Sequence, residues 1–336
     1  MSQERPLVSV ILPHYNRAHL LRLSLSALAA QTYAPIEVIV VDDCSTDDSV
    51  AVATSMGATV ISTEKNGGQS AARNLGARHA RGEILFFLDS DIALQPDSIE
   101  NAVAILRADP GLGAVCGILL PEPLLSTSLA SQYRALQMYR WWMPTGRPTR
   151  ELHAALIAVP ARVFAEIGPF DPRLSDTEAA DYRSRLVERY EVRLTDAIQG
   201  RHEHDATLGM ILGKVFRRAR VSAMEWRRGE IPGDSVSRAY SGGLLLAAVA
   251  ALPLPLLVGL AGAAVSPALV AATVALDRGT YRHVFAARGG WFGLYFSAVH
   301  LLVTLVGTVG AGVGVLQRLL LQRPSGARTS RVHNPA

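Results

Sequence analysis

Cysteine and lysine are scarce in this chain of 336 residues. Its two cysteines, Cys44 and Cys116, lie far apart and lack the spacing of a metal-binding or redox motif, which argues against a disulfide framework or a cysteine zinc site. Lys65 and Lys214 are the only lysines, so arginine carries nearly all the positive charge. The first residues lack the apolar core of a signal peptide, and we therefore expect a catalytic part that stays in the reducing cytosol.

Charge is absent between Arg238 and Asp277. The apolar tracts 239–276 and 289–317 each exceed the roughly 20 residues that a helix needs to cross about 30 Å of hydrocarbon. Prolines in the first tract leave open one kinked span or a re-entrant pair, and with it the number of crossings. Arginines before this tract, with Trp226 among them, favour an anionic membrane surface over nucleic acid as a partner: Arg217, Arg218, Arg220, Arg227, Arg228 and Arg238.

Short apolar runs alternate with helical periodicity in the first third of the chain. The runs Leu7–Leu12, Ile36–Val41 and Glu83–Leu88 have the composition of buried strands, and each leads towards a helical pattern. Another cycle begins at Val60-Ile61, and the four cycles together predict an open, mostly parallel sheet with helices on both faces. A fifth strand is predicted at Gly113–Ile118, after which the pattern becomes irregular around two tryptophans and several prolines.

Glycine-rich phosphate-binding loops are also missing. The first strand leads into Pro13-His14-Tyr15-Asn16-Arg17, which argues against a dinucleotide-binding fingerprint or a P-loop. Asp89-Ser90-Asp91 instead follows the apolar strand that ends at Leu88. Residues i and i+2 of an extended chain point to the same side, so both carboxylates can face one hard cation where ligands bind in open α/β sheets.

Four segments in order resemble the motifs of glycosyltransferase family 2: Val8 to Arg17, Glu37 to Asp47, Asn66 to Gly76, and Phe87 to Asp91. A fifth match, Gly168-Pro169-Phe170-Asp171, resembles the segment ahead of the family's acceptor site. The resemblance covers roughly residues 7–220. It implies the α/β GT-A fold, a mostly parallel sheet flanked by helices, here followed by a C-terminal helical membrane region.

The domain organisation expected from this resemblance has four parts. They are a catalytic domain at 1–221, a basic linker at 222–240, a membrane region at 241–318 and a polar tail at 319–336.

The resemblance also implies roles for matching positions. The implied nucleotide-sugar-binding residues are Pro13, Tyr15 and Asp43 around the base, Arg73 near the base or diphosphate, and Asp89 at the ribose. Metal contacts fall to Asp91 and His202, with Mn²⁺ or Mg²⁺ as the cofactor. A carboxylate accepts hydrogen bonds from a base edge or a ribose, and arginine contacts phosphate. Simpler interpretations stay open: Pro13 only ends a strand, Arg73 is a solvated helix residue, and His202 is a surface histidine.

The segment from Thr177 to Leu186 resembles the family's acidic helix, but Ala179 stands where the family has a second acid. If Ser175 or Asp176 opens this helix, Glu178 and Asp181 share one face at i and i+3. Glu178 is the preferred catalytic base and Asp181 the second candidate. A solvated acidic face is the alternative.

These patterns predict a metal-dependent inverting glycosyltransferase. It would move a sugar from a nucleotide-diphosphate donor to a lipid, lipid-linked or glycan acceptor at the cytoplasmic face of the inner membrane, held there by a multi-pass anchor in contact with membrane lipids. Nucleic acid is not an expected partner. Ala179 motivates an alternative, a catalytically silent membrane protein that acts as a sugar-nucleotide sensor or assembly scaffold. A sugar-nucleotide pyrophosphorylase would need the glycine-rich opening loop that this sequence lacks.

Overall fold

The computed structural model describes residues 5–143, 152–174, 176–225 and 233–321. Its strands are β1 Val8–His14, β2 Ile36–Asp42, β3 Thr59–Ser62, β4 Ile84–Leu88, β5 Ile92–Leu94, β6 Leu112–Leu119, β7 Leu156–Pro160 and β8 Glu191–His202. Its helices are α1 Ala18–Ala29, α2 Ser49–Ser55, α3 Gly68–His79, α4 Ser98–Ala108, α5 Leu129–Trp142, α6 Ala161–Ile167, α7 Glu178–Leu186, α8 Leu208–Glu225, α9 Gly233–Ala250, α10 Leu254–Val258, α11 Leu260–Ala263, α12 Val265–Leu276 and α13 Arg278–Leu321.

All eight strands form one sheet in the order β3-β2-β1-β4-β7-β6-β8-β5. The strands β3, β2, β1 and β4 are parallel to one another, as the alternating pattern predicts. β6 and β8 are parallel as well, so four of the seven strand pairings are parallel and the predicted mostly parallel sheet is confirmed. The antiparallel pairings arise because β7 enters between β4 and β6 and β5 joins β8 at the edge of the sheet, so the predicted fifth strand, β6, does not lie next to β4.

The central strands are buried on both faces, which explains their unbroken apolar runs. Val10 and Leu12 of β1 belong to one apolar cluster, whereas Ile11 belongs to a second cluster on the other face. Successive strand residues point to opposite faces, so each strand contributes to both layers of core. The parallel strands β1, β2 and β4 all end at the same edge of the sheet, and the polar segments that follow them meet there.

The irregular stretch after β6 contains α5, which ends at Trp142 and which the hydrophobic pattern does not predict. Its N-cap is well formed, since the Ser128 side chain accepts a hydrogen bond from the Ser131 backbone N–H at 3.0 Å. The strands β5 and β8 are also absent from the prediction. Their antiparallel pairing sets His202 opposite Ile92, immediately after the second acid of the Asp-Ser-Asp segment.

The first apolar tract is broken into α9, α10, α11 and α12, and its apolar pieces 239–250 and 265–276 are short. The second tract lies within α13, whose backbone is interrupted at Gly289 with φ of 78°. Among the described residues, α13 alone is long and apolar enough to cross a membrane. The predicted multi-pass anchor is therefore not supported by the helix lengths. Outside the described residues lie Ser175, Trp226, Arg227, Arg228, all but three residues of the predicted tail, and the Arg238 side chain.

Candidate active site

A pocket of about 360 Å³ opens at the carboxyl edge of β1 and β4, lined by Tyr15, Asn16, Arg17, Leu20, Ser90 and Asp91. The chain turns sharply after β1 because Asn16 and Arg17 adopt the left-handed conformation, with φ of 57° and 64°. This turn leaves Tyr15 half exposed, at 53%. The first and fourth motifs of the sequence thus share one cavity.

Asp91 and His202 meet at this pocket. His202 Nε2 lies 3.3 Å from Asp91 Oδ1, and Arg17 Nη1 lies 3.9 Å from Asp91 Oδ2. Burial raises the pKa of Asp91, but the charge and hydrogen bond of His202, with Arg17, bring it below the ordinary value. Burial likewise lowers the pKa of His202, and the neighbouring Asp91 carboxylate reverses this and raises it.

The donor types at this point fit a divalent cation. Carboxylate oxygens suit Mg²⁺ and Mn²⁺, and the imidazole nitrogen of His202 favours the transition metal. His204 lies behind His202, with 3.1 Å between their Nδ1 atoms, and its buried Nε2 has no partner among the described residues. In the described ranges no three His, Cys, Asp or Glu side chains could hold an ion together, so Asp91 and His202 would leave most coordination positions to water or a substrate.

Arg73 of α3 joins two acids that lie on different elements. Its Nη2 donates to Asp89 Oδ1 at 2.7 Å, and its Nη1 lies 3.5 Å from Glu178 Oε1 on α7. The side chain is almost fully buried, and its guanidinium sits 5.6 Å above the Phe170 ring. The predicted alternative, a solvated helix residue, is wrong for Arg73.

Glu178 lies in the first turn of α7 and is 5% exposed. Gln69 Nε2 donates to its Oε1 at 2.6 Å, while its Oε2 has no hydrogen-bond partner in the described part of the chain. Burial raises the pKa of Glu178, and the charge of Arg73 opposes that rise without cancelling it. A carboxylate with a raised pKa and a free oxygen has the properties of a general base.

Contacts of the fifth motif, Gly168 to Asp171, hold α7 in this position. Asn74 of α3 holds Phe170 by two hydrogen bonds, its Nδ2 donating to the Phe170 carbonyl at 2.7 Å and its Oδ1 accepting from the Phe170 N–H at 3.0 Å. Phe170 then packs on Tyr182 of α7, with 4.5 Å between ring centroids. The third and fifth motifs are therefore in direct contact, and this contact places Glu178 next to Arg73.

Asp181 does not join the cluster of Arg73, Asp89 and Glu178. Its Oδ2 accepts hydrogen bonds from Arg185 Nε and Nη2 at 3.1 and 2.9 Å, one turn along α7. Asp176 is equally engaged elsewhere, since its two oxygens pair with Arg217 and Arg218 of α8. The helix begins at Glu178 after the cap residue Thr177, so of the three nearby acids Glu178 alone contacts Arg73.

Asp43 and Pro13 are both buried. Asp43 Oδ1 accepts from the Gly67 N–H at 2.9 Å and from the Thr63 hydroxyl at 2.8 Å, and its Oδ2 accepts from the Gly68 N–H at 2.7 Å. These bonds fasten the loop that leads into α3. Pro13 lies within β1, its side chain buried in the sheet. The carboxylate of Asp43 is thus occupied by its own chain, which the sequence does not predict.

His14 and Cys44 have roles that the motif comparison misses. The buried His14 ring bonds Ser90 Oγ through Nδ1 at 2.8 Å and Ser49 Oγ through Nε2 at 2.7 Å, so it ties the Asp-Ser-Asp segment to α2. Cys44 adopts the left-handed conformation with φ of 66°. Glycine enters this region without strain, so cysteine occupies the position at some conformational cost.

Comparison with known proteins matches residues 9–150 to Glycosyl transferase family 2. An uncharacterized glycosyltransferase of Haemophilus influenzae is 28% identical over 194 residues, covering 54% of this chain and 62% of that protein. One from Rickettsia prowazekii is 31% identical over 183 residues, covering 52% and 57%. The chain thus spans about three fifths of the length of these relatives.

A solved structure, the mannosyltransferase PcManGT from Pyrobaculum calidifontis in complex with GDP-Man and Mn²⁺, resembles the whole fold. The two structures superpose with a TM-score of 0.59 at 18% sequence identity, and the superposition covers 96% of this chain and 89% of PcManGT. At this identity the likeness concerns the fold. The sequence match over residues 9–150 is therefore a similarity to glycosyl transferase family 2, and the described chain has a fold of the GT-A type.

Proposed function

We propose that this protein is a metal-dependent inverting glycosyltransferase that uses a nucleotide-diphosphate sugar. The observation that carries the proposal is the pairing of two carboxylate centres at one edge of the sheet. Asp91 lies beside His202, which gives two side chains of the types that bind a cation, and Arg73 joins the base candidate Glu178 to Asp89. The GDP-Man and Mn²⁺ of the solved PcManGT complex support a donor and an ion of these classes.

Each residue of the second centre has its own part in the proposed reaction. Glu178 accepts the proton of the acceptor hydroxyl through Oε2, a buried oxygen without a hydrogen-bond partner in the described chain. Loss of that proton strengthens the acceptor oxygen as a nucleophile on the anomeric carbon. Arg73 holds the Glu178 carboxylate in place through Oε1. Tyr15, half exposed beside the pocket, offers an aromatic face to the base, and Asp89, with one oxygen paired to Arg73, has a second oxygen for a ribose hydroxyl.

Asp91 and His202 would hold the divalent cation, which supplies charge to balance the diphosphate that develops as the leaving group. Arg17 lies on the same side of the pocket and adds a positive charge there. The Asp43 carboxylate contributes indirectly under this proposal, by fixing the loop ahead of Arg73. Asp181 fixes the acidic helix through Arg185.

The acceptor is proposed to be a lipid, a lipid-linked sugar or a glycan at a cytoplasmic membrane face. One long apolar helix, α13, and the exposed arginines of α8 support this location. A site held beside a bilayer meets acceptors that are themselves bound to that bilayer.

Purified full-length protein tests the proposal through release of nucleoside diphosphate from a panel of nucleotide sugars, with Mn²⁺, with Mg²⁺ and with chelator. Asp91→Ala should remove metal-dependent donor binding in calorimetric titration and leave the fold intact, because Asp91 lies at a solvent-facing pocket outside the core. Unchanged metal-dependent affinity in Asp91→Ala would refute its metal role.

A catalytically silent sensor or scaffold remains the second candidate, because Ala179 replaces an acid of the family's helix. The same experiment separates the two. A sensor binds a nucleotide sugar with metal and neither hydrolyses nor transfers it, whereas a transferase turns it over.

A further inference from the structure

The geometry of the C-terminal helices points to attachment to one leaflet only. We infer that α13 lies in the plane of an anionic membrane surface beside α8, and that α9 to α12 form a hairpin that dips into the same leaflet and returns. This inference deepens the proposed membrane location and concerns how the chain is held there. It replaces the predicted multi-pass anchor with a monotopic one.

The first half of α13 lies against the catalytic domain. Arg288 Nη2 is 3.4 Å from Glu122 Oε1, and the Phe296 ring packs on Tyr133 of α5 with 4.9 Å between centroids. Tyr133 and His300 share a buried hydrogen bond of 3.2 Å. This half of the helix is therefore at the level of α5, which itself packs on β6 of the sheet.

The second half of α13 runs parallel to α8 in close contact. Ile211 of α8 shares an apolar cluster with Val299, and further on a Cβ at Gly310 would lie 2.6 Å from the Phe216 carbonyl oxygen. At Gly314 the Arg220 carbonyl approaches closer still. Near the end, Met224 and Leu320 line one cavity. The contacts advance in the same order along both helices, so α8 accompanies α13 to its end.

The outer face of α8 belongs to the polar side of the molecule. Arg217 and Arg218 are more than half exposed and pair with Asp176, while Lys214 Nζ pairs with Asp205 Oδ1 at 2.6 Å. If this part of α13 crossed the hydrocarbon, it would carry those cations in with it, at a large desolvation cost. A helix that lies in the interface leaves the cations at the headgroups.

One apolar stripe of α13 stays partly exposed beside its contacts with α8 and α9. Leu302, Val309 and Leu316 recur every seven residues along this stripe and are 39%, 43% and 57% exposed. Anionic lipid suits this face because exposed arginines flank it, on α8 and at the start of α13 where Arg278 and Arg282 are exposed.

The hairpin is too short to cross. Its apolar pieces 239–250 and 265–276 each span about 18 Å as helices, against about 30 Å of hydrocarbon. They pack side by side, with Ser266 Oγ of α12 donating to the Ala248 carbonyl of α9 at 2.8 Å. At the tip, Leu256 and Leu257 are 88% and 75% exposed. Such a tip is stable in the acyl layer of one leaflet.

The hairpin also returns to the side from which it leaves. α12 ends at Leu276, and the α13 start that follows lies near α5, with Arg140 Nη2 3.9 Å from where a Cβ at Gly279 would be. The arginines of the segment 278–288 therefore remain beside the catalytic domain. A two-span arrangement would have placed them across the membrane.

Fluorescence quenching at defined depths tests this inference. In a Cys44→Ser, Cys116→Ser background of the full chain, single cysteines Leu302→Cys, Val309→Cys and Leu316→Cys are labelled with bimane. The protein is then bound to vesicles of phosphatidylethanolamine and phosphatidylglycerol that carry shallow or deep doxyl lipids. An in-plane α13 gives the same deep-to-shallow quenching ratio at all three positions, whereas Leu257→Cys gives a higher ratio. Val50→Cys on α2 serves as the unquenched control.

A spanning helix predicts another result, because successive positions would differ in depth by about 10 Å. A ratio that differs among Leu302, Val309 and Leu316, either rising steadily or reaching a maximum at Val309, overturns the inference. The inference is also overturned if bimane fluorescence is unaffected by the lipid quenchers but changes with protein concentration in detergent. Such a result would mean that a second copy of the chain covers the face. None of these measurements involves a sugar nucleotide, so a failure of the proposed activity is seen separately, as absent turnover in vesicle-bound protein with a normal quenching pattern.

A second measurement examines the hairpin. The pair Leu256→Asp and Leu257→Asp should greatly reduce co-sedimentation with the same vesicles, and Val50→Asp, an exposed apolar position on α2, should leave it unchanged. Equal retention of the hairpin variant and the control contradicts insertion of the tip.

Discussion

At the scale of single residues, Arg73 determines the arrangement of the candidate active site. A buried arginine needs compensating charge, and here Asp89 and Glu178 supply it from two other elements. Its Nε has no partner in the described chain, so the guanidinium is held by its two acids, by Gln69 and by the Phe170 ring. Changes at any of these residues should therefore affect the position of the base.

Glu178 is the residue at which the mechanism is most directly tested. A general base contributes about 10² to 10⁴ in rate, so Glu178→Gln should lower kcat by that factor while donor affinity stays nearly unchanged. The glutamine keeps an oxygen for Gln69 and loses the proton acceptor. Steady-state turnover and donor titration measure the two quantities.

Asp181→Asn is the matched control, because its carboxylate is paired with Arg185 outside the cluster. Such a half-exposed pair is worth roughly 0–1 kcal/mol, so turnover should change little. Full turnover in Glu178→Gln combined with loss in Asp181→Asn would mean that the base is misassigned. If neither matters, the silent-sensor interpretation gains support.

The pH dependence of turnover follows from the same carboxyl group. Burial raises the pKa of Glu178, and the base works only when deprotonated, so activity should be lost as the pH falls through that raised pKa. The acid limb of the kcat profile should lie above the value of about 4.3 of an ordinary glutamate. An acid limb at or below that value argues against Glu178.

His14 is a residue whose importance is structural. Its ring joins two hydroxyls, and a hydrogen bond of this kind contributes about 1 kcal/mol net, so His14→Ala should lower the free energy of unfolding by about 2 kcal/mol or more. Since burial lowers the pKa of His14, the neutral ring is the folded form. The folded protein should therefore lose stability as the pH falls below about 6.5, the ordinary value. Denaturant titrations across this range, compared with His14→Gln, measure both effects.

At the scale of elements, the contact between α8 and α13 depends on small residues. Gly307, Gly310 and Gly314 face α8, and the last two touch its backbone carbonyls. Helices approach this closely only where one of them lacks side chains. The close packing explains how an apolar helix and an arginine-bearing helix form one unit.

Gly314→Ala should separate these helices, because the added methyl group meets the Arg220 backbone, which cannot move as a side chain does. Overpacking of this kind costs typically about 1–3 kcal/mol. Gly312→Ala is the matched control, with open space around its Cβ, and should be neutral or stabilising by up to about 1 kcal/mol. Thermal unfolding in detergent compares the two. Equal effects of both substitutions would contradict the close contact between α8 and α13.

At the scale of the whole molecule, ligand linkage identifies the donor. A ligand present at 100 times its dissociation constant should add about 2.7 kcal/mol to the stability of the protein. The donor should stabilise the protein only when the divalent ion is present, because the proposed ion would join the donor diphosphate to Asp91 and His202. A thermal-shift screen of nucleotide sugars with and without Mn²⁺ measures this, and stabilisation that ignores the ion would speak against the proposed ion bridge.

The local features of this protein follow from its sequence. Unbroken apolar runs give strands that are buried on both faces, and the parallel direction of β1 to β4 follows from the strand and helix alternation. The position of Asp89-Ser90-Asp91 after β4 was equally predictable. The glycosyltransferase family 2 resemblance rested on these segments, and the sequence comparison confirms it.

Which distant residues meet is a property of the folded chain. The insertion of β7, the pairing of β5 with β8 that delivers His202 to Asp91, and the lock between Asn74 and Phe170 that delivers Glu178 to Arg73 all join residues far apart in sequence. Contacts of this kind leave no periodic signal, because each depends on one backbone register and not on a repeated pattern. For the same reason, hydropathy marked the apolar tracts at the C-terminus, whereas the inferred in-plane arrangement at a membrane depends on the packing of α13 on α8.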